Sequence, residues 1–446
     1  MKLRVRILRA DQLGQAEIDA WRDLEDRAIE PNAFLSPYFA LPALRHLDPD
    51  KTGLCTLVEV DDAGKPPLHP QIVGAAVFVH SGPTLRFPLP HLVGYTSEHS
   101  FLGGVLLNAT VAEAALEALL DALGTDAHSC HGVTFPRMRV DGPIGEVLRR
   151  SGARGRASVV LDREQRIVMI PKETSQTYLA QQAASRCKSF RRRQRRLADL
   201  GPVRWTVHRS PESVGTRIEH HLDLEHRGWK GRQGTSLRST ASGAAFFREV
   251  FEAFGLEGRA LFTELSVGDS VVASTSNLVS GRAAFAFKIG WEPSLARQAP
   301  GILSEIQLIR ESPSVCPDID WFDSGASPGS YLEDLWLERC EVAEVVVPLT
   351  RWARIALSIV AGLRWVRRRA AAIWGRKSDS RTPPGPTRDA RVACVNGDAF
   401  EPRGKRRRLR PSSGPTPSSG TSQEPAPTTP RRAALKRRWA DLGRRV

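Results

Sequence analysis

The sequence predicts a mixed α/β fold built in two successive halves, residues 1–160 and 161–350. Helical and strand-like segments alternate in both halves in a similar order, which indicates a duplicated domain rather than one large sheet. After residue 350 the composition shifts to Arg, Pro, Ser and Thr. We therefore expect a basic amphipathic helix at 351–377 and a disordered basic tail at 378–446.

The first half alternates helix-period segments with strand-like runs. Its best-defined helix carries a Thr at its start and stops at a Gly, as helices commonly do. The predicted elements are a helix at 16–30, strands at 54–60, 71–79 and 83–94, a helix at 110–124, a strand at 131–136 and a helix at 142–152.

The second half repeats this plan in a longer form. Its central strands form a predicted hairpin around Gly268 and Asp269. The predicted elements are a strand at 165–170, a long or broken helix at 174–201, a strand at 203–209, helices within 210–229 and at 241–258, strands at 259–269, 270–281 and 282–292, a helix at 302–312, and strands at 318–325 and 343–349.

A tryptophan stands in a run of charge and glycine at residues 225–237, "EHRGWKGRQGTSL". Three Gly residues within ten argue against a regular helix or strand there. Trp229 then either anchors a loop on the core or borders a ligand beside cationic groups.

An anion site is predicted where the strand at 282–292 runs through the loop "PSLARQAPG" into the next helix. Unpaired amides and the dipole at a helix N-terminus hold phosphate, and Gly301 lets the backbone approach closely. Arg297 adds a direct charge. The alternative is a tight turn with Pro300 in the first turn of the helix.

Net charge and cysteine usage exclude several classes. The total of +15 is concentrated at the end of the chain: residues 378–446 hold 16 Lys/Arg and 6 Asp/Glu, and 351–377 hold 8 Lys/Arg and no acidic residue. Residues 1–350 are thus near neutral, and we do not expect a nucleic-acid partner. Six scattered Cys without a CxxC pair indicate reduced thiols in a cytosolic protein, and "HSCH" at 128–131 is too short to predict a metal site.

Neither the N-terminal segment nor the longest apolar run favours export or a membrane span. The N-terminal segment carries charges throughout and has no apolar signal-peptide core. The longest apolar run, 355–363, is about half of what a membrane helix needs. We expect a cytoplasmic protein, with peripheral association at the inner membrane through the Trp-containing basic segment 351–377.

Several of these segments together resemble one family. Residues 225–237, "ELSVGDSVVASTSNL", "AFAFKIGWEPSLARQAPGILSE" and the terminal set Asp320, Asp323, Trp336, Glu338 and Arg339 resemble the bacterial GNAT-superfamily acetyltransferases of polysaccharide and cellulose biosynthesis clusters. That family is related to the Fem-type aminoacyltransferases, which carry two GNAT-like domains in tandem. The resemblance covers about residues 15–350. It implies two tandem GNAT-like domains, acyl-CoA as donor and a sugar or lipid-linked envelope precursor as acceptor.

The resemblance also implies site residues. Arg297 matches the first position of the GNAT phosphate loop, although Pro300 and Ile302 stand where that loop usually has Gly and a second small residue. The predicted cofactor contacts are Arg297, Gly301, Ile302 and Ser304, and the predicted acceptor contacts are Arg227, Trp229, Lys230 and Arg191, the last on a basic helix whose alternative is a solvated surface.

Acyl transfer to an amine or hydroxyl requires that the acceptor lose a proton as it attacks. Asp323, at the end of the last core strand, is the leading candidate for the base, with Asp320 and Glu264 behind it. Lys288 is predicted to meet the acceptor or a phosphate, the alternative being a surface ion pair. Two other functions stay open: Fem-like transfer from aminoacyl-tRNA, and a non-catalytic scaffold that binds membrane or nucleic acid through its tail.

Overall fold

A computed structural model describes residues 1–61, 70–125, 130–153, 157–171 and 184–362 of the chain. The predicted tail at 378–446 and residues 363–377 of the predicted basic helix lie outside these ranges. The strands in the described part are β1 (Leu3–Arg9), β2 (Leu54–Val60), β3 (Ile72–Ser81), β4 (His91–Gly94), β5 (Leu106–Leu107), β6 (Gly132–Arg139), β7 (Val159–Met169), β8 (Val203–His208), β9 (Ala260–Val267), β10 (Ser270–Ser280), β11 (Ala283–Trp291), β12 (Trp321–Asp323) and β13 (Glu338–Pro348).

The helices lie between these strands in a repeating order. They are α1 (Gln15–Glu25), α2 (Pro37–His46), α3 (Ala112–Leu123), α4 (Pro143–Ala153), α5 (Ala184–Ala198), α6 (Pro211–Arg227), α7 (Trp229–Gln233), α8 (Ala241–Leu256), α9 (Pro300–Val315) and α10 (351–362). Helices α1 and α2 separate β1 from β2, just as α6, α7 and α8 separate β8 from β9. Helix α3 precedes β6 as α9 precedes β12, so the two halves repeat one plan.

The strands form one mixed sheet in the order β1-β2-β3-β4-β6-β13-β7-β12-β11-β10-β9-β8, with β5 beside β3. Each half has an antiparallel run that ends in a parallel step, β4 beside β6 and β11 beside β12. Strands β13 and β7 join the halves: β13, the last strand of the second half, pairs with β6 of the first, and β7, which begins at the boundary between the halves, lies between β13 and β12. The mixed α/β prediction and the repeated plan of the two halves are confirmed, but the expectation that the halves do not share one large sheet is wrong, because β13 and β7 join them.

An aromatic layer packs the first half against the second. Phe39 of α2 meets Phe246 of α8 edge-on at 5.4 Å and Phe287 of β11 at 6.1 Å between ring centroids. Phe34, just before α2, meets Phe285 of β11 at 5.7 Å. Such edge-to-face pairs add to the free energy already gained by burying the rings. This layer therefore fixes β11, the strand that carries Lys288.

A buried ion pair also joins the halves. Glu25, at the end of α1, contacts Arg259 just before β9, and both side chains are almost fully buried. The Glu25 carboxylate also accepts hydrogen bonds from Ser36 Oγ at 2.5 Å and Ser280 Oγ at 3.3 Å. Its hydrogen-bonding capacity is thus used by residues from both halves.

Replacing Glu25 with alanine is expected to lower the free energy of unfolding by about 3–5 kcal/mol, because Arg259 keeps a buried charge and loses its buried partner, which leaves only the more exposed Glu257 at 3.2 Å. Glu219→Ala is the matched control, since Glu219 pairs with Arg248 at 2.6 Å on the surface and should lose less than about 1 kcal/mol. Denaturant unfolding of both variants measures the difference. Equal losses would mean that the buried pair does not hold the halves together.

Candidate active site

The sheet opens where β11 and β12 part. The two parallel strands pair over three positions, ending with Phe285 opposite Asp323, whereas β11 continues to Trp291. The register between β10 and β11 shifts between Ser276 and Asn277, which leaves Phe287 as an extra residue in β11. A bulge bends a strand and increases its twist. The bend therefore lies two residues past the last β11–β12 pair.

A loop of the first half packs against this opening. A Cβ placed on Gly325, just after β12, would lie 2.8 Å from Phe101 Cδ2, and Gly325 has a φ of +61° that also favours glycine. Arg166 of β7 donates from Nη1 to the Phe101 carbonyl at 2.5 Å, and Asn32 Nδ2 donates to the Gly103 carbonyl at 3.2 Å. The loop is thus held in place from both halves of the chain.

Lys288 and His99 meet across the halves. The Nζ of Lys288 on β11 lies 3.3 Å from Nδ1 of His99 in this loop, and 5.2 Å from the centroid of the Phe101 ring. Burial, together with the charge of Lys230, lowers the pKa of Lys288 to about 8. Burial, together with the charge of Lys288, lowers the pKa of His99 to about 3. At neutral pH the imidazole is therefore neutral, and the Lys288 ammonium donates to it.

The Trp segment is anchored by Glu225. This buried carboxylate accepts from Lys230 Nζ at 2.8 Å and from the Leu237 backbone N–H at 2.9 Å. Burial opposes its ionisation, but the charge of Lys230 and the hydrogen bonds from Lys230 and Leu237 act together with His221 to lower the pKa of Glu225. Contrary to the expectation of no regular structure, residues 229–233 form the one-turn helix α7, which ends at Gly234 with a φ of +72°. Trp229 is 47% exposed, so it does not anchor the segment in the core.

The turn before α9 contains two backbone amides that make no hydrogen bond within the described residues, those of the buried Gly301 and the half-buried Ile302. Ala299 adopts a left-handed conformation, with φ 50° and ψ 59°, immediately before Pro300. Within the described residues, the backbone N–H groups of Gly301 and Ile302 have no hydrogen-bond acceptor, as expected for the first turn of a helix. The exposed Arg297 side chain likewise has no partner there. Two amides and a guanidinium thus lie within six residues of chain.

Arg227 links this turn to the Trp segment. Its Nη1 lies 3.5 Å from Glu292 Oε2, and Glu292 accepts from the Ser294 backbone N–H at 3.2 Å. Gly290 allows the end of α6 to approach β11, because a Cβ there would lie 2.6 Å from the Glu225 backbone nitrogen. The end of α6 and the loop before α9 are therefore neighbours along β11.

Other predicted site residues lie elsewhere or are turned away. Ser304 is fully buried and its Oγ accepts from Trp205 Nε1 at 3.2 Å, so its side chain packs α9 on the sheet and is not open to a cofactor. Arg191 is exposed on α5, at a pocket of about 180 Å³ lined by residues of α5, β8, β9 and α9. Its role in binding the acceptor stays a prediction, because no contact within the described residues joins Arg191 to Lys288 or His99.

The three carboxylates differ in their surroundings. Asp323 is buried; its Oδ1 accepts from the Gly325 backbone N–H at 2.8 Å, while its Oδ2 lies 3.6 Å from Arg166 Nη1 and makes no hydrogen bond within the described residues. Asp320 forms a surface pair with Arg282 at 2.6 Å. Glu264 contacts Arg217 and His220, which hold it in a charged cluster on β9. Among these three, Asp323 is the one at the point where the strands part.

Residues 184–341 match a family model described as an acetyltransferase (GNAT) domain, a range that includes the whole of β11, α9 and β12. This part of the chain is therefore similar to GNAT-type acetyltransferase domains. No curated protein matches the chain.

Solved structures give weaker likenesses. The chain is similar to a conserved protein of unknown function from Bacteroides thetaiotaomicron VPI-5482, at 11% identity and a TM-score of 0.49 over 77% of this chain and 100% of that one. It is similar to FemX at 10% identity and a TM-score of 0.47, over 78% and 97% of the two chains. A tandem GNAT protein from the clavulanic acid biosynthesis pathway gives 12% identity and 0.37, over 78% and 99%.

Proposed function

We propose that this protein transfers an acyl group, such as acetyl, from acyl-CoA to an amine or hydroxyl of a cell-envelope or exopolysaccharide precursor. The observation that carries the proposal is the opening between β11 and β12 beside the backbone amides of Gly301 and Ile302. These features fall within the stretch that matches the acetyltransferase family model. The acceptor class comes from the resemblance of the sequence motifs.

The start of α9 fits the diphosphate of CoA. Backbone N–H groups at a helix N-terminus, aided by the helix dipole, bind anions, and Arg297 is available for a charge-assisted hydrogen bond. Gly301 lets the start of α9 pack closely on β11, since a Cβ on it would lie 3.2 Å from Ile289 Cδ1. In this proposal Gly301, Ile302 and Arg297 hold the diphosphate, and the thioester lies in the opening between β11 and β12.

Lys288 then acts on the thioester carbonyl. Its ammonium uses one hydrogen for His99 and has two more, which can stabilise the negative charge that develops on the carbonyl oxygen. Asp323 is the proposed base, because its Oδ2 is a buried oxygen without a hydrogen-bond partner in the described residues. The acceptor's proton passes to Asp323, the new acyl bond forms, and the C–S bond breaks to release CoA.

One observation favours the second candidate, transfer from aminoacyl-tRNA. The basic side chains on α5 are mostly exposed, and no carboxylate within the described residues pairs with Arg191, Arg192 or Arg195. Such a face suits a polyanion. It equally suits a phosphorylated lipid-linked sugar, so it does not outweigh the acyl-CoA site.

The test is transfer of label from radiolabelled acetyl-CoA to amino sugars and to lipid-linked envelope precursors. We expect label in an acceptor, with matching release of CoA, and no loss after treatment with RNase. Transfer that needs charged tRNA and stops with RNase would establish the Fem-like alternative instead. Failure of the protein to bind or turn over any acyl-CoA would leave the scaffold role and overturn the proposal.

A further inference from the structure

Helix α10 presents two apolar faces, one packed and one bare. Ala353 and Leu357 are buried in a cluster with Phe87 and Val346, so the helix is docked on the sheet. It also has a defined start, since Thr350 Oγ1 accepts from the Ala353 backbone N–H at 3.3 Å. The helix is therefore a fixed part of the compact unit Met1–Ala361.

The bare face carries three large apolar side chains in one stripe. Trp352, Ile355 and Ile359 are 56%, 51% and 58% exposed. Their spacing of three and four residues places them on one side of the helix, over a length of about 10 Å. Three such residues in one stripe exceed the scattered single exposure that is ordinary on a soluble protein, and they mark an interaction surface.

Charge identifies the occupant of this face. Residues 351–377 carry eight Lys/Arg and no acidic residue. The Arg351 guanidinium lies 5.2 Å from the Trp352 ring centroid, and both Arg351 and Arg354 are exposed beside the stripe. A second copy of this chain would bring the same positive charge to the contact and would be repelled. An anionic lipid surface instead offers apolar depth for the stripe and negative charge for the arginines.

We propose that the stripe Trp352, Ile355 and Ile359 docks α10 flat on an anionic membrane surface, with the stripe below the headgroups and the arginines at their level. Tryptophan is suited to this boundary because its ring is apolar with one polar N–H. No helix in the described part of the chain is long and apolar enough to cross a bilayer. The docking is thus peripheral, and it places the enzyme at the surface where lipid-linked precursors lie.

The test is flotation of the full-length protein with vesicles of phosphatidylcholine alone or of phosphatidylcholine with phosphatidylglycerol. We expect the wild type to float with the anionic vesicles and to be released by added salt, which screens exposed charges. Trp352→Ser/Ile355→Ser/Ile359→Ser should lower the partition coefficient about tenfold or more. Arg351→Gln/Arg354→Gln should lower the preference for anionic over neutral vesicles by about tenfold or more.

The matched control is Leu200→Ser/Leu256→Ser/Val315→Ser, which removes three exposed apolar side chains from other elements and should float like the wild type. All variants are compared for thermal unfolding, since surface substitutions should leave the fold intact. A stripe variant that floats like the wild type, or a wild type that floats with neither vesicle, overturns the proposal. If the protein self-associates in sedimentation without lipid and the stripe variant does not, this face of α10 binds a second copy of the chain instead.

Discussion

Replacing Lys288 with alanine is expected to slow acyl transfer by about 100-fold or more while leaving the affinity for acetyl-CoA unchanged. The reason is that the ammonium stabilises charge present only in the transition state, and loss of one such donor typically costs this much. The measurement is the steady-state rate of CoA release at saturating acetyl-CoA. Lys51→Ala serves as the control, because Lys51 pairs with Asp48 at 2.8 Å on the surface and should keep full activity.

The same residue predicts a pH dependence. The pKa of Lys288, near 8, lies below its ordinary value, so the ammonium is present below that pH and is lost as the pH rises through it. The contribution of Lys288 to the rate should therefore fall above about pH 8. Lys288→Arg keeps its charge at every accessible pH. The wild-type rate divided by the Arg-variant rate should drop across pH 8, and a ratio that rises there would mean that Lys288 works as a neutral base.

Replacing Arg297 with alanine is expected to weaken acetyl-CoA binding by about ten- to hundredfold, because a hydrogen bond between charged partners contributes about 1.5–3 kcal/mol. The rate at saturation should change little, since the diphosphate is remote from the reacting carbonyl. Calorimetric titration measures the affinity. Arg310→Ala is the matched control: Arg310 is also exposed, but lies ten residues into α9. Equal affinities for wild type and Arg297→Ala would place the diphosphate elsewhere.

Local signals predicted the second half well. The Gly268 turn between β9 and β10, the Phe-rich face of α8 and the strand–loop–helix order of β11 and α9 all depend on residues close together in sequence, and the structure has them. The strand predicted at 83–94 is shorter in the structure, where β4 spans only His91–Gly94. The proline-containing helix α2 was not predicted, because Pro42 lies inside it and lowers helix propensity.

Long-range features could not be read from the sequence. The joining of the halves through β13 depends on pairing with β6 and β7, whose residues lie more than a hundred positions away in the sequence. His99 was missed because it lies in an irregular loop of the first half, and only the folded chain brings it to Lys288, 189 residues away. Ser304 was placed at the cofactor from its position in the motif, but helical periodicity turns its side chain to the sheet.

The proposed function depends on the CoA diphosphate being held by main-chain amides at the start of α9. Amide hydrogen exchange with and without acetyl-CoA tests it directly. We predict that acetyl-CoA slows exchange at Gly301 and Ile302, while the corresponding residues 112–114 at the start of α3 are unaffected. Bound acetyl-CoA that leaves exchange at Gly301 and Ile302 unchanged would contradict the account.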